Sequence, residues 1–237
     1  MHQIVENLNK LGVHSIENNL QLLLEIKETD TKQVSQIDEQ MSRLFARTRK
    51  NLSLECPKAL LDELPITAGH MQATAERMHY TRSLTGSEFM DTFDFEVWDS
   101  DAESTTMFLS EVMERDTAAT RAFIQVMKEE LPSQAARMIT VSLIDGEPAG
   151  IVLPHLEPGK DAEGRFFWIG LHPTFRGKNR GCALHHIGLH RLQHDFGATT
   201  YVGATELGNA PMRAIMKQNG CTEQKAVMVT LECVVCK

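Results

Sequence analysis

No stretch of about 18 consecutive apolar residues occurs in the 237-residue chain, so no membrane-spanning helix is expected. The opening MHQIVENLNK has no basic patch followed by an apolar run, so no secretory leader is expected either. Gly and Pro, 15 and 8, are too few for a collagenous or wholly disordered chain. Positive charge is in deficit: 24 Lys and Arg stand against 32 Asp and Glu, for a net −8. No basic stripe matches a phosphate backbone, which argues against nucleic acid as the main partner. Cysteines are few and odd in number, five, in a chain long enough to need no staples, which reads as the reducing cytoplasm. Neither low-complexity tracts nor an internal repeat can be read from the residues.

What is present is helical pattern first and alternating pattern later. Residues 1–77 read as a helical N-terminal region. Ile16, Leu20, Leu23 and Leu24 form one stripe, and Asp30 with Gln33 makes a capping box before Val34, Ile37, Met41, Leu44 and Phe45. These stripes must pack on their own chain, form a lid, or meet a second copy in a homodimer. Residues 78–237 read as a separate α/β domain. His79–Leu84 alternates as a strand, and a helix is expected over Gly86–Val97, with the alternation of Phe93, Phe95 and Val97 as a rival strand reading. Helices follow around Met107–Val112 and Phe123–Leu131. Met138–Leu143 and Ala149–Leu153 then flank Asp145-Gly146, the signal of a tight hairpin. Strand Arg165–Leu171, helix Gly181–Phe196, strand Tyr201–Thr205, helix Ala210–Gln218 and strand Ala226–Cys233 complete the series, as a mixed sheet requires.

The most informative stretch is Ile169–Leu184. An apolar strand stops at Pro173. A loop with Gly177, Arg176, Lys178 and Arg180 follows, and a helix opens at Gly181. The first N–H groups of a helix lack internal partners, the helix dipole adds positive potential, and glycine lets a phosphate approach the backbone. A plain strand-to-helix turn with surface cations would have the same composition. The loop has neither the Gly-Lys-Ser/Thr of a P-loop nor the three glycines of a dinucleotide fingerprint.

At Arg176-Gly177-Lys178-Asn179-Arg180-Gly181 the sequence resembles the GNAT superfamily of acyl-CoA N-acyltransferases, whose core motif is Arg/Gln-x-x-Gly-x-Gly/Ala after the fourth strand. Asn209-Ala-Pro-Met212 and Asn219-Gly220-Cys221 extend the resemblance over residues 78–237. The resemblance implies a GNAT-like mixed, mostly antiparallel sheet flanked by helices; it leaves residues 1–77, read from their stripes as an N-terminal helical extension, unexplained. It also implies acetyl-CoA as co-substrate, no metal, and direct attack by an amine, either a small molecule or a peptide amine. Ile169, Gly170 and Leu171 would splay from the strand near Val202–Thr205 and hold the pantetheine arm. The loop Arg176, Gly177, Lys178, Asn179, Arg180, Gly181 and Cys182 would hold the diphosphate, and Asn209 and Met212 would lie along the arm. Asn179 replaces the family's central glycine, Cys221 replaces an aromatic, and Met216 stands near the tyrosine that many members use as acid. These departures keep a second reading open, a CoA-binding sensor or interaction module without turnover.

The attacking amine needs a base. Glu206, just past the fifth strand, is the first candidate and His172 the second. Glu206 also reads as a plain solvent carboxylate. Residues 88–116 hold ten carboxylates and one base, Arg115. They are either a solvated acidic face or a lure for a cationic acceptor such as a polyamine, an aminoglycoside or a lysine side chain. His186, His190 and His194 share a helix face, and Cys233 and Cys236 form a lone C-x-x-C. Either set is weak as a metal site.

Overall fold

The computed structural model describes residues 1–17, 21–26, 31–86 and 94–233, with only the backbone of residues 31 and 32. In chain order the first elements are α1 (His2–Lys10), β1 (His14–Glu17), β2 (Gln21–Glu25), α2 (Thr31–Phe45), β3 (Asn51–Pro57), α3 (Pro65–His70) and β4 (Gln72–Ser83). After them come β5 (Phe95–Val97), α4 (Glu103–Met113), α5 (Thr117–Glu130), β6 (Thr140–Ile144), β7 (Glu147–Leu156) and β8 (Glu163–Leu171). The chain closes with α6 (Gly181–His194), β9 (Thr200–Glu206), α7 (Ala210–Gln218) and β10 (Thr222–Cys233). The chain forms two units: Met1–His79 with Ala204–Asn209 and Gln224–Lys237, and Tyr80–Gly203 with Ala210–Glu223.

The first unit is not the helical region that the stripes predict. Where a helix is expected around Ile16–Leu24, β1 and β2 pair antiparallel, and β2 runs parallel to β3. Leu22 and Leu24 are fully buried with Leu23 between them. A short continuous apolar run suits a strand covered on both faces as well as it suits a helix, and periodicity alone cannot separate the two. The α2 stripe does form: Val34, Ile37, Met41 and Leu44 are buried with Leu22, Leu24, Leu52 and Leu54 in one core. The α2 part of the apolar face foreseen for a dimer or a lid is therefore covered by its own unit, while Ile16 stays 45% exposed. The proposed cap Asp30 lies outside the described residues. Asp38 of α2 makes the decisive polar contact, its buried carboxylate accepting from Ile66 N at 2.9 Å, Thr67 N at 2.8 Å and Thr67 Oγ1 at 2.7 Å. That carboxylate satisfies donors which the start of α3 would otherwise bury unbonded.

In the second unit β5, β6, β7 and β8 pair antiparallel in sequence order. The sheet is mixed and mostly antiparallel, as expected. Asp145 and Gly146, at φ 55° and 80°, turn the β6–β7 hairpin; Asn, Asp and Gly tolerate this left-handed geometry best. The helix expected over Gly86–Val97 falls mainly outside the described residues, and its described end is strand β5, as the rival alternation suggests. One core packs Leu109, Ile124, Met127 and Leu131 against Val141, Ile151 and Leu153. On β7, Pro154 cannot donate to a ladder. Beside it the register slips between Val152↔Ile169 and Pro154↔Phe166, which gives β8 the extra residue of a bulge at Phe167-Trp168.

One succession occurs twice. Strand, helix, parallel strand, helix and long strand appear as β2-α2-β3-α3-β4 and again as β8-α6-β9-α7-β10. The second strands are both 7 residues long, the last strands both 12, and the first helices 15 and 14. The sequence hides this repeat because nothing in the first copy corresponds to the glycine loop of the second.

Candidate functional site

The two copies differ in how their parallel strands close. β2 pairs with β3 along its whole length, from Gln21↔Asn51 to Glu25↔Glu55. β8 pairs with β9 only at Glu163↔Thr200 and Gly164↔Tyr201. Beyond that point no ladder pair joins Phe166–Leu171 to β9, although β7 still pairs with β8 up to Gly150↔Leu171. One edge of β8, along Ile169, Gly170 and Leu171, is thus left without a neighbouring strand, so that an extended ligand can pair with its backbone, although Leu171 O already accepts from Arg176. The bulge bends β8 at the start of this section.

The loop that follows is held at both ends. His172 N donates to Ala149 O at 2.9 Å, and a 3-10 turn runs over Pro173–Phe175. Gly177 and Asn179 then take φ 74° and 57°. Asparagine is among the side-chain-bearing residues that adopt this geometry most readily, so the departure from glycine leaves the turn intact. Gly181 opens α6 where an added methyl would come within 2.5 Å of Ile215 Cδ1 of α7. No side chain caps α6. Its first N–H groups therefore face outward with the positive end of the helix dipole behind them, the physical basis of anion binding.

The three loop cations divide their work. Arg176, foreseen as a cofactor contact, is committed to protein acceptors: Nε to Leu171 O at 3.0 Å, one terminal nitrogen to Glu114 at 2.5 Å and the other to Val112 O at 3.0 Å. It fastens the loop to the end of α4, where Glu114 adopts the left-handed cap at φ 53°. Arg180 lies 5.1 Å from the centre of the Phe175 ring. Lys178 is exposed and has no ion-pair partner among the described residues. Cys182 sits on the first turn of α6, but burial raises its thiol above the usual range, and its Sγ donates to Gln218 Oε1 at 2.5 Å.

Of the candidate bases, His172 is already engaged. Its Nδ1 accepts from Thr174 N at 3.4 Å, Nε2 lies 3.4 Å from Glu111, and its ring stacks on Phe108 at 5.8 Å. Glu206 is the exposed last residue of β9, and its side chain has no partner among the described residues. Glu206 and Asn209 belong to the first unit; Ile169–Cys182 and Met212 belong to the second. The described carboxylates of the acidic segment are largely matched locally. Asp101 pairs with Lys128, Glu103 with Arg121, Glu111 with His172 and Glu114 with Arg176, while Asp116 caps α5 through Ala119 N. That pattern is closer to a solvated face than to an open lure. His190 and His194 do meet, with ring centres 4.5 Å apart, but among the described residues no group of three or more His, Cys, Asp or Glu is placed to hold a metal ion. Cys236 lies outside the described residues.

Two clusters have no signature in the sequence. Glu223 accepts from Tyr80 Oη at 2.5 Å, Lys217 at 2.8 Å and Arg213 at 3.3 Å. The Lys217 ammonium and the Tyr80 hydroxyl hold its carboxyl down to about 2. The second cluster joins Asn219, His185 and Tyr201. Asn219 Nδ2 donates to Cys182 O at 3.0 Å and meets His185 Nδ1 at 3.1 Å, while His185 Nε2 lies 3.2 Å from Tyr201 Oη. Burial, then the charge of Arg82, pushes His185 down to about 3, so it is neutral. Asn219 is visible in the sequence as part of the closing motif, but its partners are too far along the chain for spacing to reveal them.

No family model matches the sequence, and no curated protein does. Solved structures do match. A tandem GNAT protein from the clavulanic acid biosynthesis pathway aligns at TM-score 0.59 and 14% identity, covering 93% of this chain and 77% of that one. A GCN5-related N-acetyltransferase from Kribbella flavida aligns at TM-score 0.57 and 14% identity, over 98% and 94%. One from Sphaerobacter thermophilus aligns at TM-score 0.57 and 12% identity, over 93% and 75%. Among the described residues no helix is long and apolar enough to cross a membrane. The halted β8–β9 ladder, the bulge and the glycine-bearing turn into α6 accompany a whole-chain likeness: this chain has the fold of the GCN5-related N-acetyltransferases.

Proposed function

We propose that the chain is an acyl-CoA-dependent N-acyltransferase that moves an acetyl group from acetyl-CoA to an amine. The observation that carries this reading is the ladder that stops at Gly164↔Tyr201 beside an uncapped helix start. The N–H groups around Gly177–Cys182 take the diphosphate, with Lys178 and Arg180 as counter-charges. Arg176 acts indirectly, by holding that turn in shape. The pantetheine arm lies along Ile169, Gly170 and Leu171 as an added strand, and a β8 N–H polarises the thioester carbonyl. Asn209 and Met212 follow the arm further along. The amine then attacks directly, so the protein's work is mainly to place two reactants together. Glu206 is the proposed base, directly or through water, and His172 is second because its Nδ1 already accepts from Thr174. The acceptor is a small-molecule or peptide amine. The sparse, odd-numbered cysteines of the sequence, five in all, favour a reducing, cytoplasmic setting.

A second reading rests on Met216. It is buried at the α7 position where an acid is expected, and a thioether has no proton to give. The chain would then bind acyl-CoA as a sensor or interaction module. Calorimetry with CoA followed by thiol release from acetyl-CoA with a panel of amines separates the two. Binding with release supports the transferase, binding without release for any amine supports the module, and absence of binding contradicts both.

A further inference from the structure

The chain of hydrogen bonds behind the opened strand pair has a fixed direction. Cys182 O is a carbonyl, so the Asn219 nitrogen that meets it is a donor. The second hydrogen of that nitrogen points at His185 Nδ1, which must therefore accept. The proton of neutral His185 then sits on Nε2 and is donated to Tyr201 Oη. Asn219 is anchored in turn, since its own carbonyl accepts from Arg82 at 2.5 Å. Every link is assigned except the last: the hydroxyl proton of Tyr201, a residue only 1% exposed, has no acceptor among the described residues.

The position of that hydroxyl is specific. Tyr201 is the last β9 residue paired with β8, and its ring packs on Phe166 at 4.8 Å. Its oxygen reaches over Gly203, the next residue on the same face. A methyl added there would collide with the phenol and lie 3.0 Å from the Met216 Cε. The phenol thus occupies the space beside the proton-less Met216 side chain, at the point where the two strands part. The ionisable groups around it are His185 on α6, Cys221 ahead of β10 and, behind His185, Arg82 on β4.

We propose that Tyr201 is the proton donor to the coenzyme sulfur, an assignment that rests on the acyl-CoA reading of the site. As the amine nitrogen bonds to the thioester carbon, the C–S bond breaks and the sulfur leaves with the electron pair. The Tyr201 hydroxyl proton passes to that sulfur. The resulting phenolate, held by His185 Nε2–H, is reprotonated by the proton that the amine nitrogen sheds through solvent. Gly203 is bare because the hydroxyl needs its space, and Met216 is acceptable because the acid comes from β9.

Tyr201→Phe removes one oxygen and tests this without knowledge of the acceptor. CoA and desulfo-CoA are titrated calorimetrically into wild type and variant from neutral to alkaline pH. The proposal expects wild type to favour CoA over desulfo-CoA increasingly as the thiol ionises, and the variant to lose that preference while binding desulfo-CoA unchanged. With an accepted amine, kcat falls about 100-fold and KM for acetyl-CoA stays within about twofold. Equal preference and equal kcat in the two proteins overturn the role of Tyr201 and leave the transferase reading standing. Wild type that binds CoA but acylates no amine overturns the transferase reading, while the desulfo-CoA comparison still decides for or against the phenol. If the variant does not fold, fluorotyrosine replaces both tyrosines of the chain. An alkaline limb of kcat, or of the CoA preference, that moves to lower pH supports the assignment, and an unmoved limb overturns it.

Discussion

At the scale of single residues, burial and local partners decide protonation. His185 ionises near 6.5 in an unfolded chain, but the native protein keeps it neutral down to about 3. The unfolded state therefore binds more protons between those values, and stability is full above pH 6.5 and falls as pH drops toward 3. In His185→Gln, the urea midpoint should lose less between neutral pH and about pH 4 than in wild type. A slope equal to that of wild type would place the His185 burial penalty elsewhere. Glu223 behaves as a stabilised carboxylate, ionised at about 2 in the folded chain and near 4.5 unfolded. Its contribution is present above pH 4.5 and is lost as pH falls toward 2, so Glu223→Gln should flatten the acid limb of stability.

At the scale of elements, two side chains from one helix or loop order the start or end of another. Asp38 of α2 supplies three bonds at the start of α3, and it is 4% exposed. Asp38→Ala leaves buried donors unbonded and should cost about 2–3 kcal/mol in urea unfolding. Arg176 joins the end of α4 to the turn before α6. Glu114→Gln weakens that clamp and should raise the Kd for CoA severalfold, with little change in thermal midpoint, because both groups are largely exposed. An unchanged Kd would show that the turn keeps its shape without the clamp. The elements differ in how legible they are. Asp145-Gly146 announces its hairpin because only such residues sit easily at positive φ twice in succession. The 176–181 turn is legible for the same reason, with glycine and asparagine at its two left-handed positions. β2 is not, because Gln21-Leu-Leu-Leu-Glu25 has neither alternation nor helical period. The roles of Arg176 and Tyr201 are not legible either. A sequence shows that a cation or a phenol is present, but which acceptor it reaches depends on contacts with α4, α6 and α7.

At the scale of the whole molecule, the repeated succession and its two different closures give the main functional expectation. The first copy is zipped from Gln21 to Glu25, and its connecting segment contains no glycine; the second parts after Gly164 and carries the glycine turn. One coenzyme site per chain follows, although the topology occurs twice. The most direct test is a calorimetric titration of the full chain with CoA, repeated on Gly177→Val, which puts a β-branched residue at φ 74°. The account predicts a single site per chain, an affinity that weakens as salt rises, and a loss of about tenfold or more in the variant. No binding, two equivalent sites, or a variant that binds as tightly as wild type would contradict it.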